Sequence, residues 1–246
     1  MSMVGKGGGN FYILAMAAAG ISMHYAASTS QLTMLFTSVA ALLVFHKHKK
    51  LDWKLALIID PPTDIMAFVG GYVAGGFSGN AMKIIFSVLL VLVSLFMFLP
   101  VKERGIKKAN RFGYWKRTFG NHRYVVNLWL AIPITASVGF FAGMIGISGG
   151  TFKIPLMVFA CGVPIEIAVG TSSAMVAVTA LMGLMGHSLS GHFNPLLSFP
   201  IAGIALIGGI MGSRLAVKSK PQNLKSIFTI INLISATLML LSVVIQ

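Results

Sequence analysis

Acidic residues are the scarcest feature of this 246-residue chain, which has five Asp and Glu against 19 Lys and Arg. Charged residues make up 10% of the sequence and hydrophobic residues 56%, whereas a soluble domain carries about 25% charged residues. This composition excludes an ordinary soluble globule. The single cysteine, Cys161, cannot form an internal disulfide and is typical of a small core residue.

Motifs of enzymes and of cofactor sites are also lacking. The segment GKGGGN has no Gly-Lys-Ser/Thr ending, so it is not a phosphate-binding loop, and no Ser-His-Asp set has a spacing typical of hydrolases. His24, His187 and His192 do not have the spacing of metal ligands. We therefore expect no enzyme activity, no metal and no cofactor.

The basic residues are grouped between apolar runs, with eight in 101–123, four in 47–54 and four in 214–225. This grouping argues against a nucleic-acid partner and indicates orientation in a lipid bilayer. A membrane crossing needs about 20 apolar residues. Apolar segments of about that length run over 26–45, 54–77, 82–100, 124–143, 166–188, 195–217 and 224–245, with shorter ones at 10–21 and 151–163. We predict an all-α, polytopic integral protein of the cytoplasmic membrane.

Two glycine-rich breaks interrupt the apolar runs, GKGGGNFYIL at 5–14 and GISGGTFKIP at 146–155. Each is followed by a hydroxyl or amide triplet, Thr29-Ser30-Gln31 in the first case and Thr171-Ser172-Ser173 in the second. The breaks are offset by 141 residues and the triplets by 142, which predicts an internal duplication.

Loop charges predict that the two halves are inverted. The connection 46–54 is strongly basic, whereas its counterpart 189–194 has no Lys or Arg; the next pair, 77–81 and 218–225, reverses this pattern. Since basic short loops lie on the cytoplasmic side, equivalent loops lie on opposite sides. We divide the chain into a first repeat (1–100), a basic cytoplasmic linker (101–123) and a second, inverted repeat (124–246). Inverted repeats with broken helices are typical of transporters.

The breaks suit an anion site. Asn10 and Thr151 follow the breaks and are good N-cap types, so half-helices that begin there would aim free N–H groups at an anion. The alternative is that small residues merely allow close helix packing, which we favour for 71–75 and 208–212. The candidate ligands of the second half are Gly146, Ser148, Gly149, Gly150, Thr151, Lys153, Thr171, Ser172 and Ser173. Those of the first half are Gly7, Gly8, Gly9, Asn10, Thr29, Ser30 and Gln31.

Three charged residues lie in the predicted spans. Lys153 either attracts an anionic substrate or snorkels to an interface, and the sequence leaves both open. Asp60 and Asp64 could carry protons, but both lie within about two turns of a basic loop. For Asp60 we favour pairing with Lys54 near the interface.

The segments GISGGTFKIPLM (146–157), AVGTSS (168–173) and GGIMGSRLA (208–216) resemble the sulfite exporter TauE/SafE family. Each half of that family carries a glycine-rich break followed by a proline, a Thr-Ser pair and a Gly-Ala-Arg-Leu-like segment. The resemblance implies a carrier of sulfur-containing anions, usually an exporter. The first half departs from the pattern: Lys6 stands between its glycines, and no apolar segment precedes GKGGG, so its leading helix is either truncated or lacking.

These observations predict a secondary transporter, with export as the expected direction, for a small sulfur-containing anion such as sulfite or an organosulfonate. Its partners would be the small anionic substrate and the lipid bilayer, and a homo-oligomer is left open. One alternative is a carrier for another small anion, such as a carboxylate, or for a metal cation. Another is a non-transporting membrane scaffold whose basic linker binds a partner or anionic lipid.

Overall fold

The computed structural model describes residues 8–98, 112–147 and 149–219, together with Ser226, Ile230, Ile234, Thr237 and Leu238. The predicted span 224–245 and most of the linker 101–123 fall outside these residues, as do the candidate ligands Gly7 and Ser148. In the described part the helices are α1 (Gly9–Ala18), α2 (Met23–Lys47), α3 (Trp53–Ile59), α4 (Pro61–Val73), α5 (Gly79–Phe98), α6 (Leu128–Ile145), α7 (Gly150–Pro155), α8 (Ile165–Leu189) and α9 (Pro195–Lys218). A 3₁₀ turn (Ala74–Gly76) follows α4, and a π-helical turn (Leu156–Ala160) follows α7.

Four of these helices, α2, α6, α8 and α9, are long and apolar enough to cross a membrane. The chain is a mostly helical protein, as predicted. The predicted span 54–77 is divided at Asp60 into α3 and α4, because Pro61 and Pro62 supply no N–H group to continue the helix. The segment 124–143 begins as a strand and becomes helical only at Leu128.

Helices α2 and α8 form the centre of the bundle. Their apolar windows are 67% and 78% buried, against 28% for α9. The two helices pack against each other, while α9 lies on α2, and α4 lies between α8 and α6. Both α2 and α8 have 25 residues, and α8 begins 142 residues after α2.

Close approach of these helices depends on glycine, as predicted for small-residue patterns. A Cβ atom at Gly71 would lie 2.5 Å from the carbonyl oxygen of Gly183, and one at Gly70 would lie 2.0 Å from that of Phe140. Gly208 differs, because a Cβ atom there would meet nothing within 4 Å. The packing interpretation is therefore confirmed for Gly71 and not for Gly208.

A β-hairpin in the basic linker departs from the predicted all-α fold. Strands β1 (Tyr114–Phe119) and β2 (His122–Asn127) pair antiparallel, with Phe119 opposite His122. The two-residue turn between them begins with Gly120 at φ +55°, the position at which type II′ hairpin turns favour glycine.

The hairpin clamps the start of α3. The carboxylate of Asp52, which is fully buried, accepts hydrogen bonds from Nε and Nη2 of Arg117 at 2.8 Å each and one from the Tyr124 hydroxyl. Asp52 also accepts the backbone N–H groups of Lys54 and Leu55, which makes it the N-cap of α3. Burial raises the pKa of Asp52, but the hydrogen bonds from Arg117 and Tyr124 outweigh burial and hold that pKa below its usual range.

We expect Arg117→Ala to lower the free energy of unfolding by about 2–3 kcal/mol, because the buried Asp52 carboxylate loses its charged partner. Since the folded-state pKa of Asp52 is lowered, its contribution to stability is complete above the unfolded pKa of about 4 and is lost as pH falls through the folded value. Without Arg117, that loss begins at higher pH. Thermal unfolding in detergent over a range of acidic pH measures both effects. Arg117→Lys should retain part of the stability, and an unaltered acid profile in Arg117→Ala would contradict the clamp.

The basic connections meet at one end of the bundle. Lys50 Nζ pairs with Glu166 at 2.7 Å and donates to the Val217 carbonyl oxygen at 3.2 Å. Together with the Asp52–Arg117 contact, these bonds join the loop 46–54, the hairpin, the start of α8 and the end of α9. At the opposite end, the rings of His24 and His192 stack with centroids 4.7 Å apart.

Candidate functional site

The two glycine breaks lie where helices end and begin. Helix α6 is followed by Gly146 in the left-handed conformation (φ +79°), and α7 begins at Gly150 after Gly149. In the first half, α1 begins at Gly9 after Gly8, which is also left-handed (φ +89°). Each break therefore turns the chain at a glycine and then starts a short helix.

The predicted N-caps are wrong. Asn10 and Thr151 are the second residues of α1 and α7, and the cap positions belong to Gly8 and Gly149. Neither helix has a side-chain cap hydrogen bond. The helices start one residue earlier than predicted because glycine can serve as a cap without a side chain.

Ser30 on α2 is the point at which the two breaks meet. Its Oγ lies 3.2 Å from the carbonyl oxygen of Gly9 and 2.8 Å from that of Gly146. One hydroxyl hydrogen can be donated to only one of these carbonyls at a time. A Cβ atom at Gly146 would lie 2.5 Å from Cα of Ala27, so only glycine lets this break approach α2 so closely.

Two buried amide side chains near this point have unused hydrogen-bonding atoms. Asn10 is 2% exposed, and neither its Oδ1 nor its Nδ2 has a partner among the described residues. Gln31 donates Nε2 to the carbonyls of Ala142 (3.2 Å) and Gly143 (3.4 Å), while its Oε1 has no partner in the same part of the chain. Since buried polar groups are normally hydrogen-bonded, these atoms are suited to a small polar ligand.

A buried charge cluster lies beside the second break. Lys153 on α7, which is 1% exposed, pairs through Nζ with Asp60 at the α3–α4 junction. The same Nζ donates to Thr179 Oγ1 on α8 at 2.7 Å, and Thr179 contacts Asp64 Oδ1 on α4 at 2.8 Å. A Cβ atom at Gly149 would lie 3.3 Å from Nζ, so the ammonium group lies against the break itself.

The hydroxyl triplets contact the start of the helix that lies beside each of them. Thr29 Oγ1 shares a hydrogen bond of 2.8 Å with Ser198 Oγ on α9, and Thr171 Oγ1 accepts the backbone N–H of Asp52 at 3.0 Å. The hydroxyls of Ser172 and Ser173 donate to carbonyls of their own helix.

The predicted ligands thus fall into separate groups. The structure brings together Gly9, Ser30 and Gly146 at one point, and Gly149 and Lys153 at another. Gly150 is the buried first residue of α7, and Thr151 follows it in the same helix. Thr171 lies eight residues before Thr179, about 12 Å along α8, so the second triplet is not beside the charge cluster.

A sequence profile described as "Sulfite exporter TauE/SafE" matches residues 1–239. The chain belongs to the sulfite exporter TauE/SafE family. The predicted family is therefore confirmed, and the protein is a multi-pass membrane protein from a family of transporters rather than of enzymes.

Named relatives of this TauE/SafE chain are probable membrane transporters. "Probable membrane transporter protein YunE" of Bacillus subtilis is 29% identical over 216 residues, which cover 86% of this chain and 78% of the relative. "Probable membrane transporter protein YfcA" of Escherichia coli K12 is 27% identical over 90% of this chain and 77% of the relative. "Probable membrane transporter protein MJ0441" of Methanocaldococcus jannaschii is 24% identical over 80% and 70%. No solved structure matches the chain.

Asp60 in this TauE/SafE chain does not pair with Lys54, as the sequence predicted. Its partner is Lys153, 93 residues away, and Lys54 is exposed. The prediction measured the depth of Asp60 along one straight helix, whereas the break at Asp60 gives that side chain a different direction. Thr179 was also missed, because a threonine inside an apolar helix carries no signal until its neighbours are known.

Histidines of the TauE/SafE chain form no metal centre with other ligands in the described residues, in agreement with their spacing. His187 is fully buried, and its Nε2 lies 2.9 Å from the Gly143 carbonyl oxygen. This bond ties α8 to α6 beside the Gln31 contacts. We therefore assign His187 to helix packing.

Proposed function

We propose that the protein is a secondary transporter of a small sulfur-containing anion, such as sulfite or an organosulfonate, that works by alternating access of two inverted halves. The observation that carries the proposal is the meeting of both glycine breaks at Ser30, beside the unused amide atoms of Asn10 and Gln31. Broken helices at the interface of two repeats are where secondary transporters bind their substrates. Export is the direction that the family's name favours.

Anion chemistry at this site is supported by the donors that the described residues offer. The Asn10 amide has two free N–H bonds, the Ser30 hydroxyl can turn from a carbonyl to a ligand, and the Lys153 ammonium lies against Gly149. In the structure Asp60 occupies this ammonium group. An incoming anion would therefore compete with the Asp60 carboxylate for Lys153.

The inverted arrangement is supported by matched positions at an offset of 142. Helices α2 and α8 have equal lengths and begin 142 residues apart, and so do α3 and α9. The N-caps Asp52 and Asn194 have the same offset, and both accept backbone N–H groups through their side chains. Thr29 and Thr171, again 142 apart, each contact the start of the helix that lies beside them, at opposite ends of the bundle.

A carboxylate carrier is the second candidate, and one observation favours it. The group that already binds the buried ammonium of Lys153 is a carboxylate. A thermal-shift screen of sulfite, thiosulfate, sulfoacetate, sulfate and simple carboxylates would rank the two classes, because a ligand of the folded state raises the melting temperature. Flux of labelled sulfite into proteoliposomes would then test transport. Binding of carboxylates alone would overturn the sulfur-anion assignment, and absence of flux for every anion would favour a scaffold.

We expect Ser30→Ala to weaken anion binding about tenfold, because a hydrogen bond to a charged group contributes about 1.5–3 kcal/mol. Titration of the anion that gives the largest thermal shift measures this change. Ser38→Ala is the matched control, since Ser38 Oγ lies on the same helix, is buried and has no partner among the described residues. Equal affinities for both variants would show that Ser30 is not a ligand. Thr171→Val, which we also expect to weaken binding, tests the second triplet in the same way.

A further inference from the structure

The charges of the cluster around Lys153 do not balance. Lys153 supplies one positive charge, whereas Asp60 and Asp64, when both are ionised, supply two negative charges. The three residues are 1%, 4% and 8% exposed, respectively. A net charge buried inside a membrane protein is costly, so a further positive charge is expected to join the cluster.

The helices packed around α4 do not supply that charge. Helix α6 contains no Asp, Glu, Lys, Arg or His. On α8, Glu166 lies in an ion pair at the end of the bundle, and His187 lies two turns beyond Thr179 on a carbonyl of α6. Lys54, on α3, is exposed. Within the described residues, Lys153 is thus the only cation at the cluster.

We propose that the cluster binds one exchangeable proton on Asp64, and that this proton is transported together with the anion. The proposal rests on the proposed function, since a transported proton needs a transported anion. Asp64 is the proton acceptor because Asp60 is in direct contact with the ammonium group, whereas Asp64 meets it through the Thr179 hydroxyl.

Thr179 lets the cluster keep its hydrogen bonds in both protonation states. Its Oγ1 lies 2.8 Å from Asp64 Oδ1, 2.8 Å from the Met175 carbonyl oxygen and 2.7 Å from Lys153 Nζ. When Asp64 is ionised, the threonine hydroxyl donates to it. When Asp64 has taken a proton from water, its own O–H donates to Thr179 Oγ1, and the threonine hydrogen turns to Met175. The proton is returned to water on release.

The charge count sets the sense of coupling. The empty, deprotonated cluster has a charge of −1. One proton and one monovalent anion leave that charge unchanged, whereas an anion alone would raise it to −2. Proton and anion binding therefore favour each other, and both move in the same direction. An inward proton gradient would oppose export and drive uptake.

Proteoliposomes that contain the full chain test the coupling with labelled methanesulfonate as the probe. This anion of a strong acid does not redistribute passively with pH. For one proton per anion, a gradient of one pH unit should support about tenfold accumulation. Asp64→Asn should equilibrate the probe without accumulating it, and Glu166→Gln, which changes a partly exposed acid outside the cluster, should behave as the wild type. Flux in the wild type that ignores the pH gradient would overturn proton coupling but leave the proposed function intact.

Infrared difference spectra of the same protein test the proton site without any substrate. Between alkaline and acidic pH, the wild type and Glu166→Gln should both gain a carbonyl band from a buried protonated carboxyl group, and Asp64→Asn should lack that band. If methanesulfonate does not move but this band depends on Asp64, the anion assignment fails and the proton site stands. Identical spectra for the wild type and Asp64→Asn would overturn the proton site, whatever the flux.

Discussion

Lys153→Met is expected to lower the free energy of unfolding by about 3–5 kcal/mol and to abolish anion flux. The substitution keeps a long apolar stem but leaves Asp60, which is 4% exposed, without its charged partner. An uncompensated carboxylate inside the bundle costs far more than the ion pair contributes. Chemical or thermal unfolding in detergent measures the stability, and proteoliposome flux measures the function.

A double variant separates the two effects of this substitution. Lys153→Met combined with Asp60→Asn has no buried unpaired charge at this contact, so most of the lost stability should return, while flux should remain absent. Lys54→Met is the matched control, since Lys54 is exposed and should change neither quantity by more than about 0.5 kcal/mol or twofold. A double variant that transports normally would mean that Lys153 only stabilises the fold.

Gly143→Ala should have the second largest effect, with a loss of about 3 kcal/mol and a large loss of transport. A Cβ atom at Gly143 would lie 2.1 Å from the carbonyl oxygen and 2.6 Å from Cα of Ala67. Both atoms are backbone, so α4 and α6 must separate rather than a side chain turning away. That separation would move α4, which carries Asp64, and would disturb the bonds from Gln31 and His187 to the Gly143 carbonyl.

Gly203→Ala is the control for Gly143→Ala and should change stability with the opposite sign. Gly203 lies inside α9, and a Cβ atom there would meet nothing within 4 Å. Alanine inside a helix is favoured over glycine by about 0.5–1 kcal/mol. Melting temperatures of the two variants in one detergent provide the comparison. Equal shifts in the same direction would argue that the close contact between α4 and α6 does not limit stability.

Helices were predictable where hydrophobic length alone decides the structure. The runs at 26–45, 166–188 and 195–217 became α2, α8 and α9, because only a helix satisfies its backbone inside an apolar environment. The hairpin at 114–127 was not predicted, since the linker was interpreted from its charge. Its signals were a glycine at the turn and the short strand-like segments YWKRTF and HRYVVN.

The candidate site was only partly predictable. Local sequence is sufficient to find glycine breaks, and it correctly marked Gly9, Ser30 and Gly146. It could not reveal that Ser30 joins the two breaks, since its contacts lie 21 and 116 residues away. The partnership of Lys153 with Asp60 and Thr179 depends on how three helices pack, which no local pattern records.

The ion pair between α7 and the α3–α4 junction also bears on turnover. It joins the second half of the chain to the first, so rocking of one half against the other in the empty protein must break it. An anion on Lys153 releases Asp60 from this tie before the movement begins. The loaded carrier therefore reorients faster than the empty one, and exchange of one anion for another across the membrane outpaces net transport.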